Sequence, residues 1–233
     1  MTAELSPTHT PHFGAPTSES ARTATLLTLA HGLDPHRDRT DTHSERVTTH
    51  AAELAKALGL GSLMVERIRL AGLLHDIGKT RVPDAILTKP GPLTEQEWAE
   101  MVKHPSFGAQ MINHPGLADV RLWTLTHHER PDGRGYPFGL RGDVIPLGAR
   151  IIAVADAYEA MTADRPYQAA LSHRQARHEL ARGAGTQFDR SLVTAFLRHT
   201  HADGASCANP ATLDFNAGQA SAGAAPVRWS RTR

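Results

Sequence analysis

A single cysteine, Cys207, excludes an internal disulfide and a thiolate-bound structural zinc site, and it fits a reducing compartment. Aromatic residues are scarce at 5%, so a core has to be assembled mainly from aliphatic side chains. Charge of one sign is not in excess. A formal net charge of +1 provides no broad electrostatic footprint, and neither a nucleic-acid duplex nor an anionic membrane is implied as a partner. No apolar run is long enough to span a membrane. The segment Met1 to Ser20, rich in Pro, Thr, Ser and His, lacks the apolar stretch of a signal peptide. These absences together place the protein in the cytoplasm. Runs of alternating apolar and polar residues long enough to build a sheet are also missing, as are internal repeats.

What is present reads as one folded unit between two poorly ordered ends. With 233 residues, 40% of them hydrophobic, the chain suits a single domain over residues 21–202. Residues 1–20 and 203–233 carry too little apolar content to offset chain entropy and are expected to be disordered. A short helix near 21–33, with Leu26, Leu27, Ala30 and Leu33, is one route for sensory input, a separate sensor protein being the other. Further on, Val47, Ala51, Leu54, Ala55 and Leu58 follow the spacing of a buried helix face, which Gly59 ends. Ser62 is placed to cap the next helix, which carries Ile68, Ala71, Gly72 and Leu74 into His75-Asp76 and ends near Gly78. Thr94 to Glu97 and Ser172 to Gln175 match capping boxes. Pro146 opens a helix through Ile151, Ile152, Ala155 and Asp156. The expected fold class is all-α.

Chemistry concentrates in His43, His75-Asp76, Lys79, His104, His127-His128 and Asp156. Imidazoles with carboxylates suit Fe, Mn, Zn or Ni. Seven potential ligands exceed what one ion with an open position can use, whereas a pair of ions sharing a carboxylate needs about that number. Hydrolysis at phosphorus is the chemistry this implies. His75 and Asp76 lie about 100° apart around a helix, and Lys79 at i+4 returns to the face of His75. His104 is expected to end the helix begun at Thr94, because Pro105 discourages continuation. An unpaired Asp156 among apolar neighbours would be costly to bury, which favours a metal or cation beside it. Duller readings stand beside these. Lys79 also suits a helix C-terminus through the macrodipole, and the loop of Gly133, Gly135, Tyr136 and Pro137 is either a tight turn or a wall of the cavity that meets a partner. The remaining histidines, His50, His173 and His199 among them, are read as surface or core residues.

His43-Ser44-Glu45-Arg46-Val47, His75-Asp76-Ile77-Gly78-Lys79, Lys103-His104-Pro105, His127-His128-Glu129 followed by Asp132-Gly133-Arg134-Gly135-Tyr136-Pro137, Asp156 and Phe188-Asp189 resemble, in order and spacing, the motifs of the HD-GYP family. That family is a branch of the HD phosphohydrolases, and its members hydrolyse cyclic di-GMP. The resemblance covers roughly residues 25–200. It implies an all-α bundle of the HD phosphohydrolase type with an added HD-GYP extension. It also implies two divalent ions, iron or manganese. His43, His75, Asp76 and Asp156 would hold one, and Asp76 would bridge to a second held by His104, His127 and His128. Lys79 would sit beside the scissile phosphate and Asp76 would be catalytic through the bridge, while Arg165 and Tyr167 would bind substrate.

The expected reaction is attack on phosphorus by hydroxide drawn from a water between the ions, with Lys79 neutralising charge on the non-bridging oxygens. The product would be linear pGpG, with further cleavage to GMP left open. Glu129 or a metal-bound water would protonate the leaving oxygen. Three departures stand out. Arg39 occupies the place of a Glu that serves a third ion in some members, so two ions are expected; Gln168 replaces a second basic residue near the substrate; and Glu159 stands where Asp is usual. Two alternatives are carried with the cyclic-di-GMP phosphodiesterase. One is a phosphohydrolase of another cyclic dinucleotide, and the other is a non-hydrolysing cyclic-di-GMP binding module whose loop contacts a diguanylate cyclase.

Overall fold

The computed structural model describes residues 37–164 and 169–202, with side chains described from 43 to 200 within those ranges. The helix expected near 21–33, both expected disordered ends, and Arg165 and Tyr167 lie outside the described residues. The described chain runs as α1 Arg37–Ala57, α2 Ser62–Leu74, a 3-10 segment Ile77–Arg81, α3 Asp84–Leu87, α4 Glu95–Met101, α5 His104–Met111, α6 Ala118–Thr126, α7 Leu147–Thr162, α8 His173–Gly183 and α9 Arg190–Ala202. Short 3-10 turns at Pro115–Leu117 and Gly142–Val144 complete it. No strand occurs among the described residues, which bears out the all-α expectation. None of these helices is long and apolar enough to cross a membrane.

At the centre stands α7, which packs against α1, α2, α6, α8 and α9. Its residues are buried nearly all round, from Ile151 and Ile152 through Val154 and Ala155 to Tyr158 and Met161. A helix apolar on every side belongs in an interior. Asp156 and Glu159 are carried inside with it, buried at 7% and 2% exposure. The face of α1 read from sequence is the face that packs: Val47, Ala51, Leu54 and Ala55 are fully buried. Its end is built as expected. Gly59 takes φ +73°, and the amides of Gly59 and Leu60 return to the carbonyls of Lys56 and Ala55, the paired bonds of a Schellman ending.

Both capping boxes form, at Thr94 with Glu97 and at Ser172 with Gln175. Three boundary expectations need correcting. The cap of α2 is Gly61, with Ser62 the first helical residue. That helix stops at Leu74, so Lys79 belongs to a 3-10 stretch that Asp76 caps, instead of a continuing α-helix. His104 does not end α4; it begins α5, since Pro105 lacks only an amide that a first turn has no use for.

Gly78 shows how tightly the 3-10 segment is set against α5. A Cβ there would lie 2.0 Å from the His104 carbonyl oxygen and 2.4 Å from the Gly108 nitrogen, both backbone atoms that cannot yield by rotation. Gly78→Ala is expected to cost about 2 kcal/mol or more by overpacking, a fall of several degrees in Tm. Gly59→Ala meets open space and carries only the positive-φ cost of about 1 kcal/mol. Thermal unfolding of the two variants, followed by circular dichroism, checks the order; equal losses would contradict it.

Candidate metal centre

Three histidines of the buried cluster stand at helix boundaries. His75 follows the last residue of α2, His127 follows the last residue of α6, and His104 stands three residues beyond the last residue of α4. The carbonyls of a final helical turn have no later amide within the helix to bond. In all three cases the imidazole Nδ1–H donates to such a carbonyl three residues back: His75 to Gly72 at 2.7 Å, His104 to Met101 at 2.8 Å and His127 to Thr124 at 2.7 Å. That bond fixes the tautomer and turns Nε2 toward a common centre. The negative ends of α2 and α6 adjoin the centre too, which favours a cation.

The atoms gathered at that centre are short of partners. Nε2 of His75, His104 and His127 and Oδ1 of Asp76 are buried without a hydrogen bond. Asp76 lies in the middle, its Oδ2 3.3 Å from His75 Nε2 and its Oδ1 3.2 Å from His104 Nε2 and 3.9 Å from His127 Nε2. Ligand atoms of His43, His75 and Asp76 lie within 4.8 Å of one another, as do those of Asp76, His104, His127 and His128. The two groups share Asp76. Asp156 adjoins the first, with Oδ1 3.2 Å from His43 Nε2 and 3.9 Å from His75 Nε2. All seven residues singled out from the sequence therefore lie close together, with Asp156 adjoining the first group.

Burial works against every charge in this cluster, and the neighbouring carboxylates work for the imidazolium. At His75 burial is outweighed by Asp76 and Asp156, and the imidazole is raised. Burial raises the Asp156 carboxyl, but the His43 hydrogen bond and the nearby His75 outweigh it and bring it down to about 2. At Asp76, burial is overcome by Lys79, His75 and His104, and the group falls well below the usual carboxylate range. Burial, with His75 and His104 as like-charged neighbours, lowers His127 to about 3. His128 is lowered for the same reasons. The centre therefore offers carboxylates with neutral imidazoles at His127 and His128, the forms that bind metal.

Lys79 reaches the centre by a different route from the one expected. In a 3-10 segment residues three apart eclipse, so its ammonium pairs with Asp76 Oδ2 and does not return to the face of His75. It is coupled directly to the shared carboxylate.

The loop from Gly133 to Pro137 is a wall of this centre as well as a turn. The Tyr136 ring lies 4.8 Å from that of His128, inclined by 32°, and 6.5 Å from that of His104. Gly133 takes φ +75°. At Gly135 a Cβ would fall 2.5 Å from the His128 oxygen, the Glu129 Cα and the Arg130 nitrogen. Glu129 is not placed as a proton donor. It is 3% exposed, and its two oxygens accept the amides of Phe138 at 2.6 Å and Leu140 at 2.9 Å.

Two further features went unread in the sequence. Glu159 pairs with Arg46, one helical turn from the Asp156–His43 contact, so the same faces of α1 and α7 carry two successive charged contacts. The equal i,i+3 spacing of His43 with Arg46 and of Asp156 with Glu159 was the available signal. Trp98 of α4 stands edge-on to Tyr136, ring centroids 6.0 Å apart, and no spacing pointed to it.

The chain is similar to several known proteins. The family model described as HD domain matches residues 27–192. The 3'3'-cGAMP-specific phosphodiesterase 2 of Vibrio cholerae is 38% identical over 177 residues, covering 75% of this chain and 34% of that protein. The cyclic di-GMP phosphodiesterase response regulator RpfG of Xanthomonas campestris is 40% identical over 183 residues, covering 77% and 48%. The chain thus spans between about a third and a half of the length of these curated relatives. Among solved structures, the HDG"Y"P protein Bd1817 of Bdellovibrio bacteriovorus superposes with a TM-score of 0.58 at 20% identity, covering 77% of this chain and 60% of that one, a likeness of fold.

The geometry separates histidines that face the centre from those that do not. His104→Ala is expected to lower the metal content of the purified protein, whereas His50→Ala, whose ring packs on Tyr158 and Phe196, leaves it unchanged. Elemental analysis by mass spectrometry reads both; equal metal content in the two variants would contradict the assignment.

Proposed function

Because the chain belongs to the HD domain family, as an HD-GYP member of it, we propose that it is a metal-dependent phosphodiesterase that opens cyclic di-GMP to linear pGpG. The observation that carries this is the pair of ligand groups sharing Asp76, with buried Nε2 atoms that no protein group satisfies. Unpaired polar atoms in an interior are costly, and divalent cations are the partners that fit two carboxylates and five imidazoles. His43, His75, Asp76 and Asp156 would hold one ion, and Asp76, His104, His127 and His128 the other, iron or manganese in each case. When bound, such a pair supplies Lewis acidity and activates a water for in-line attack on phosphorus.

The remaining work falls to the chain. The Lys79 ammonium, held on Asp76, is positioned to bind a non-bridging oxygen and to neutralise charge gathering there during displacement. As a point charge on a flexible stem it can follow an oxygen that moves. Tyr136 and the loop clamped by Glu129 close one side of the centre and exclude water from it. Arg165 and Tyr167 are retained as substrate-binding residues on the sequence motif. A diguanylate cyclase is a proposed partner of the loop, whose Phe138 is 61% exposed, and a separate sensor protein is a proposed source of input.

A second substrate reading has a specific basis. Three relatives are named for 3'3'-cGAMP, and Gln168 occupies a position where the family commonly has a basic residue, so a mixed purine dinucleotide is the competing substrate. Anaerobically purified protein loaded with Mn(II) or Fe(II) should turn over cyclic di-GMP faster than 3'3'-cGAMP, read by chromatography of the products. Asp76→Ala is expected to lose both metal and turnover. Lys79→Ala should keep its metal and lose roughly a hundredfold in kcat, the size of effect seen when one charge-stabilising group is removed. Metal-loaded wild type that captures the dinucleotide without cleaving it would replace the enzyme by a binding module.

A further inference from the structure

The His128 imidazole packs against two neighbouring rings. It lies between that of His127, centroids 4.0 Å apart, and the phenol of Tyr136 at 4.8 Å. Tyr136 in turn owes its position to the path of the loop. Its amide donates to the His128 carbonyl at 3.3 Å, and Gly135 passes the backbone of residues 128–130 at a distance that only a hydrogen side chain permits. Little apolar burial holds the tip of this loop, since Phe138 is 61% exposed and Pro137 and Arg134 are exposed too. Its anchor is polar. Glu129, the residue after His128, sits inside the loop and takes the Phe138 amide on one oxygen and the Leu140 amide on the other.

We propose that Glu129 is a positioning residue for the ion held by Asp76, His104, His127 and His128, acting through Tyr136. The inference rests on the functional reading above and deepens it. Two acceptor oxygens on one short side chain match two amide donors two residues apart, so the loop is pinned at Phe138 and Leu140 and the Tyr136 ring is pressed onto His128. An amide in place of the carboxylate offers one acceptor oxygen and satisfies one donor. Tyrosine acts here by the shape of its ring, and its hydroxyl is dispensable. Groups that orient a metal ligand without touching the metal commonly contribute 10- to 100-fold in affinity, and Glu129 is assigned that role two contacts removed from the ion.

The test is metal binding, read apart from turnover. Full-length apoprotein is titrated with Mn(II) against a competing chelator, for wild type, Glu129→Ala, Glu129→Gln, Tyr136→Ala and Tyr136→Phe. Wild type should bind two ions. Glu129→Ala and Tyr136→Ala should each weaken one of the two by roughly 10- to 100-fold and leave the other unchanged. Glu129→Gln should fall between, and Tyr136→Phe should match wild type. Should Glu129→Ala fail to fold, the contrast between Tyr136→Ala and Tyr136→Phe decides. Wild-type affinity for both ions in Tyr136→Ala overturns the proposal, as does equal weakening of both ions in every variant. Wild type that binds no metal overturns the functional reading beneath it.

Discussion

The dominant constraint in this protein is the desolvation of a cluster of imidazoles and carboxylates for which the fold supplies too few partners. His75, His104 and His127 each spend Nδ1 on their own helix and leave Nε2 buried and unbonded, with Asp76 in the middle. Such an arrangement is unfavourable for a protein interior taken alone. It becomes favourable when positive charge occupies the centre, and the surroundings are arranged to that end. The C-termini of α2 and α6 adjoin it, Lys79 lies against the shared carboxylate, and the environment keeps the Asp76 and Asp156 carboxyls low. Folding energy is thereby invested in an affinity for cations.

Holding so polar a centre in place requires a rigid frame on all sides. The central helix α7 supplies it by burying aliphatic residues nearly all round and carrying only Asp156 and Glu159 as acids inward. Those two meet His43 and Arg46 of α1, which fixes the register of the two helices beside the centre. The far end of α7 is tied by Arg150, which bonds Asp189 at the head of α9. Beside His104 and His128, the loop clamped by Glu129 contributes the Tyr136 ring. Long apolar packing positions one half of the centre, and a polar clamp positions the other.

The fold class, the buried face of α1, both capping boxes and the full set of seven candidate ligands were legible in the sequence. Helix periodicity and the restricted choice of metal-binding side chains are local signals. Boundaries near the centre were less legible. Pro105 reads equally as a helix stop and a helix start, and the segment after His75 switched to 3-10 geometry because Gly78 packs against the α5 backbone, a contact no local pattern encodes. Glu129 looked like a candidate acid because it follows two ligands. Its actual partners, the amides of Phe138 and Leu140, are nine and eleven residues away and come into range only when the loop folds back.

The Nδ1–H bonds to carbonyls three residues back make the end of a helix and the aim of a ligand one and the same event. If α2, α4 or α6 were extended by a turn, that carbonyl would be taken by a backbone amide, and the imidazole would lose both its lock and its direction. Insertions and deletions at Leu74, Met101 and Thr126 should therefore be absent among functional descendants of this chain, while the connection between α3 and α4 is free to vary in length. Helix length at three places is therefore part of the geometry of the centre.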